Sequence, residues 1–161
     1  MKLQRLSIFV FAMQTAIPVV AQTPPPSAAA VPGPSLANAE KMLAAARAKA
    51  MEMGVGVSCA VVDVHGDLVA AARMDGVGFL TVTVAQGKAR TSAFTGQPSG
   101  GLGERGALFQ SVGSAAGQTL LTIQGAVPIV QGGKRLGGIG CSGATSQQDE
   151  EAARAGLMAS Q

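Results

Sequence analysis

The chain has 161 residues, 47% of them hydrophobic, 3% aromatic and 13% charged, with 22 Gly, 8 Pro, 2 Cys and a single His. That is the size of one domain, too poor in charge to stay disordered throughout and without the three-residue glycine period of a collagen. With no Trp or Tyr and a formal charge of only +3, it has neither stacking platforms nor a basic stripe, so nucleic acid is excluded as a partner.

The first 21 residues read as an address. Lys2 and Arg5 precede an apolar run from Leu6 to Val20, and Val19-Val20-Ala21 places small residues where a signal peptidase reads, which is the pattern of a secretory leader cleaved after Ala21. The rival, a membrane anchor, needs about 20 apolar residues, more than this run supplies. Removing the leader takes two basic residues with it and leaves a charge of +1. Residues 22–34 carry five Pro among Ala, Ser and Gly and read as an extended tether without stable membrane attachment, so the folded domain is expected over 35–161 of a periplasmic or secreted protein.

Ser35 to Met53 has helical spacing, with Ser35 as cap, Leu36, Leu43, Ala46, Ala50 and Met53 on one face, and Gly54 as stop. Val55 to Asp63 is a nearly continuous β-branched run, the mark of a strand covered on both sides. His65-Gly66-Asp67 then turns the chain into Leu68 to Met74, giving a β-hairpin closed by Asp75-Gly76. Thr81 to Phe94 is read as a helix with a small-residue face, and Gln97 to Gly106 as a Gly-rich loop with one turn around Leu102 to Ala107. Thr119 to Gln124, Val127 to Gln131 and Leu136 to Ser142 read as three strands, the last two joined by Gly132-Gly133-Lys134-Arg135. Ser146 to Ala159 is a helix whose Ser146 and Asp149 have capping-box spacing. The order α-β-β-α-β-β-β-α, with strands in consecutive hairpins, predicts an α+β domain around an antiparallel sheet.

Catalytic signatures are missing: there is no G-x-S-x-G elbow, no H-E-x-x-H and no Walker loop, and one His makes no His-rich metal site. Gly137-Gly138-Ile139-Gly140 lacks the strand-to-helix setting of a phosphate loop and reads as close backbone packing on a strand. His65 is the one strong neutral nitrogen ligand, at a hairpin tip where it either reaches a metal or simply occupies the turn. The methionines are dispersed and read as core filler. Arg73-Met74-Asp75-Gly76 puts a cation and an anion at a strand end, suited to a carboxylate ligand or to a mutual ion pair. Lys88, among Ala and Gly, has little cover unless a pocket, a ligand carboxylate or solvent meets it. Cys59 and Cys141 lie in predicted strands; if these are neighbours a disulfide closes a loop of about 80 residues, and otherwise they are two buried thiols.

Three stretches together resemble the GlcG/HbpS-like haem-binding family, also found as the C-terminal domain of PduO-type proteins. They are Val61-Val62-Asp63-x-x-Gly66-x-Leu68-Val69 running into Arg73-Met74-Asp75-Gly76, then Lys88-Ala89-x-Thr91, and Pro128-Ile129 followed by Gly138-Ile139-Gly140-x-Ser142-Gly143 and Asp149-Glu150. The likeness spans about Leu36 to Gly156; Gln124-Gly125 stands where the family has a Gly-Gly pair, and Cys141 where Val is usual. The resemblance implies a profilin-like, three-layer α/β/α domain with a five-stranded antiparallel sheet, whose first and last strands can lie side by side and so bring Cys59 toward Cys141. It also implies a homo-oligomer and a haem or related tetrapyrrole ligand, in some members for sensing iron or oxidative stress. Carried over by position, Thr91 contributes to the haem site, while His65 is chemically the stronger iron ligand and Lys88 and Arg73 are candidates for the propionates.

The first reading is therefore an exported, oligomeric haem-binding protein acting in haem, iron or redox sensing. The second, from another class, is an enzyme or binding protein for a small hydroxy or keto acid, holding the carboxylate with Arg73 and Lys88 and using Asp63 or Asp75 as base; no carboxylate has a partner at diagnostic spacing for it.

Overall fold

Ser35 opens the first helix as a side-chain cap: its backbone is extended and its hydroxyl accepts from the N–H of Asn38 at 3.2 Å, so α1 runs from Leu36 to Glu52. The structure, a computed structural model, describes residues 33–160. The expected leader (1–21) and nearly all of the Pro-rich tether (22–34) lie outside them. No helix among the described residues is long and apolar enough to cross a membrane.

The hairpin foreseen after α1 is present as β1 (Ser58–Asp63) and β2 (Leu68–Arg73), followed by α2 (Leu80–Thr95). A second hairpin, β3 (Ala126–Gln131) and β4 (Lys134–Ser142), turns through Gly132 and Gly133, both at positive φ, as a two-residue hairpin turn requires. The chain closes with α4 (Ser146–Met158). The strands form one antiparallel sheet in the order β2-β1-β4-β3, so the inner strands come from different hairpins.

The sheet has four strands, not five: residues 119–124 make no ladder, and Leu121 instead donates its N–H to the carbonyl of Gly87 and rests its side chain on that glycine. The turn expected around Leu102 to Ala107 is present as a 3-10 turn at Gly103–Arg105, and the residues after it, to which the sequence assigned no element, form α3 (Gly106–Ala115). The cap of α4 is also one residue earlier than expected: Thr145 and Gln148 make the reciprocal capping box.

Alternation along the strands sorts the core into two layers. Cys59, Val61, Val127, Ile129, Ile139 and Cys141 face α1 and α4, where Met42, Leu43, Ala46, Ala152 and Ala153 pack on them. On the opposite face Val62 meets Ala89 and Ala93 of α2. Gly138 and Gly140 let α2 come down onto β4: a Cβ at either would lie 2.3 Å from the Ala89 carbonyl or 2.5 Å from that of Ala85. The expected close backbone packing at these glycines is thus what the strand does. Cys59 and Cys141 face each other across β1 and β4, 4.1 Å apart at Cα, and are joined as a disulfide.

Candidate functional site

The turn between β1 and β2 is built by Asp63, whose carboxylate accepts the backbone N–H of His65 at 2.9 Å and of Asp67 at 3.0 Å. Gly66 takes φ 85°, where a side chain is disfavoured, and its carbonyl accepts from Nε of Arg90 on α2 at 2.9 Å. This contact ties the turn to α2 and brings His65 and Arg90 to the border of one recess. Phe94 from α2, Val112 from α3, Ala116 just after it, and Leu120 supply its apolar walls, and its volume is about 100 Å³. Phe94 is 53% exposed and meets Phe109 edge-on, ring centroids 6.0 Å apart, while the Arg105 guanidinium lies 5.0 Å from the Phe109 centroid. Helix α3 and the irregular stretch after it therefore form the outer wall.

The other expected residues lie elsewhere. Lys88 is on the inner face of α2, with Nζ 2.8 Å from Oδ2 of Asp149 and 3.2 Å from the Cys141 carbonyl, and both side chains of the ion pair are 3% exposed. Asp149 spends its second oxygen on the N–H of Ala144, so both charges are fully partnered inside the fold. Thr91 is buried and donates its hydroxyl to the Gly87 carbonyl one turn back. Arg73 stands at the far end of β2, a strand length of ~20 Å from the turn. It donates Nη1 to the Val77 carbonyl at 2.6 Å and borders an open recess of about 520 Å³ shared with Arg47, Met51, Met74 and Asp75. Within one chain the fold thus joins His65 to Arg90, not to Thr91, Lys88 or Arg73.

Arg90 and Phe94 were not legible as site residues, because nothing in the Lys-Ala-x-Thr motif singles out the position inside it or the one a turn beyond. The signal was spacing: positions 90 and 94 share a helix face, opposite the face of Lys88 and Ala89 that packs on the sheet. Among the described residues no group of three His, Cys, Asp or Glu is placed to hold a metal ion, which leaves the imidazole of His65 as the ligand the recess offers.

The family model described as haem degrading protein HbpS-like matches residues 35–158. An uncharacterized 15.0 kDa protein of the dhaT-dhaS intergenic region of Citrobacter freundii is 31% identical over 126 residues, which cover 76% of this chain and 89% of that one. The structure of a double mutant of HbpS from Streptomyces reticuli is similar with a TM-score of 0.71 at 32% identity, covering 90% of this chain and 97% of that one. A PduOC haem complex is similar with a TM-score of 0.69 at 25% identity, covering 79% and 94%.

Proposed function

The chain belongs to the HbpS-like family, and from that premise we propose that it is an exported, homo-oligomeric protein that binds haem or a related tetrapyrrole against the outer face of α2, in the service of haem, iron or redox sensing. The observation that carries the reading is the recess that His65 and Arg90 border: the two residues share it with apolar walls beside the helix that carries the Lys-Ala-x-Thr motif. Imidazole is a strong axial ligand for haem iron, and a guanidinium suits a propionate. The structure of a relative carries haem, as the PduOC complex. Bound haem would supply the iron-centred redox and ligand chemistry; the chain supplies the imidazole, the cation and the greasy wall. Lys88 serves the site from behind, tying α2 to β4 and α4 so that Arg90 and Phe94 face outward, while buried Thr91 bonds back within the helix. A volume of about 100 Å³ is below the ~300–1,000 Å³ of ordinary small-molecule sites, so one protomer alone would cover only part of such a ligand. Export is supported by the leader pattern and by the Cys59–Cys141 disulfide, which suits an oxidising compartment.

Hemin titration of the mature protein tests this. A Soret shift is expected, altered in His65→Ala and at least tenfold weaker in Arg90→Ala. A wild-type protein that leaves the Soret band of hemin unchanged overturns the reading. Stabilisation by short organic acids in its place would move the assignment to a small-acid binder, which the paired arginines Arg47 and Arg73 in their open recess favour.

A further inference from the structure

The two edges of the sheet are finished differently. On β3, Pro128 removes a donor, and Ser99 covers Ala126: its N–H donates to the Ala126 carbonyl and its hydroxyl accepts the Ala126 N–H, both at 3.1 Å. β2, the other edge strand, has neither device among the described residues. Its sequence Leu-Val-Ala-Ala-Ala-Arg has no proline and no charge before Arg73, so it offers a row of free backbone groups of the kind that pairs with another strand unless guarded. The bond from the Met74 N–H to the Val57 carbonyl sets the phase: Ala72 and Ala70 turn their backbone groups to β1, and Ala71 and Arg73 turn theirs outward.

We propose that a second copy of this chain occupies this edge, the two β2 strands pairing antiparallel about a two-fold axis centred on Ala70, and that the second copy completes the recess at His65. Charge selects the register. With residues equidistant from Ala70 meeting, exposed Asp67 of one copy lies against exposed Arg73 of the other, and the His65 turn lies against Asp75, each contact made twice. Centred one residue on, at Ala71, Asp67 would face Asp75 and the arginines would face Val69. The axis keeps both α2 helices on one side of the enlarged sheet. Each α2 begins at the Arg73 end of β2, where the hydroxyls of Thr81 and Ser58 are 2.7 Å apart, and passes the turn at Arg90. The start of the second α2 therefore arrives beside the first copy's turn, carrying Phe79 and Leu80, which are 77% and 61% exposed in one protomer. Arg73, remote from His65 within a chain, becomes its neighbour across the axis.

The shared site, though not the pairing, rests on the haem reading above. The test uses the mature protein without haem. Light scattering should give a dimer or a multiple of it; Arg73→Asp should lower the mass, and the exchanged pair Asp67→Arg/Arg73→Asp should restore it. Under oxidation Ala70→Cys should link two chains on a non-reducing gel and Ala71→Cys should not, the native cystine being shielded at 1% and 0% exposure. A monomeric wild type, an unchanged mass in Arg73→Asp, or linkage at Ala71→Cys but not Ala70→Cys overturns the pairing. Hemin should bind the smaller Arg73→Asp assembly at least tenfold more weakly; undiminished affinity there removes the shared site and leaves the haem reading standing. A wild-type dimer with no Soret shift does the reverse.

Discussion

Lys88 starts from α2 on one face of the sheet and ends at Asp149 of α4, which packs on the other. Its ammonium passes Gly125, where a Cβ would lie 2.6 Å from Nζ and 2.9 Å from the Cys141 carbonyl. The pair is therefore a tie between layers, and its energetics are those of buried charge: removing one partner strands the other. Lys88→Met is expected to cost about 3–5 kcal/mol in urea unfolding. Lys88→Met/Asp149→Asn should recover more than half of that, since Asn keeps an acceptor for Ala144 and carries no charge. Gly125→Ala, at φ 139°, should destabilise by displacing the same ammonium, and no rescue is expected from Asp149→Asn because the backbone strain remains. From sequence, Lys88 was conspicuous for its small neighbours, and that signal was sound. Its partner lies 61 residues further on and read as a capping-box acid of the last helix, so the pairing was not legible.

At the level of elements, the glycines of β4 decide how close α2 sits. Gly140→Ala would set a Cβ 2.5 Å from the Ala85 carbonyl and 2.8 Å from the Ala89 nitrogen, so α2 must lift. The expected cost is about 1–3 kcal/mol, as for other overpacked cores. Because α2 carries Arg90 and Phe94, the same variant should bind hemin more weakly, which a titration beside the unfolding curve would show; unaltered affinity would place the site away from α2. Most elements were readable because their cues are local: Ser35 before α1, the β-branched run of β1, the turn glycines of the second hairpin. Residues 106 to 124 were not, for two physical reasons. Gly106 and Gly113 dilute the helical pattern of α3, and Gly113 is required, because a Cβ there would meet Leu120 at 2.7 Å. Residues 119–124 have strand propensity but no strand to pair with, and β-propensity expresses fit to a neighbouring surface more than a backbone preference. Since this segment walls the recess, the candidate site was only half legible: His65 stood out, its apolar surroundings did not.

For the whole molecule, the order β2-β1-β4-β3 joins two hairpins that are far apart in the chain, and the Cys59–Cys141 bridge sits on the seam between them, 82 residues apart in sequence. Each hairpin forms from neighbouring residues, whereas the central β1–β4 pairing must close a long loop, and that closure is the entropy a cross-link removes from the unfolded chain. The expected stabilisation is about 4 kcal/mol for a loop of this length. Cys59→Ala/Cys141→Ala should therefore unfold at a lower urea midpoint and still reach the same folded spectrum, because the core contacts of Val61, Ile139 and α4 persist. The two sulfurs belong to residues that are 1% and 0% exposed, so a reductant reaches them only when the sheet opens. Reduction followed by alkylation and mass measurement should accordingly be slow in buffer and rise steeply through the unfolding transition. Rapid reduction of the folded protein would show that the β1–β4 seam opens locally, and that the bridge guards a weak joint between the hairpins instead of a closed core.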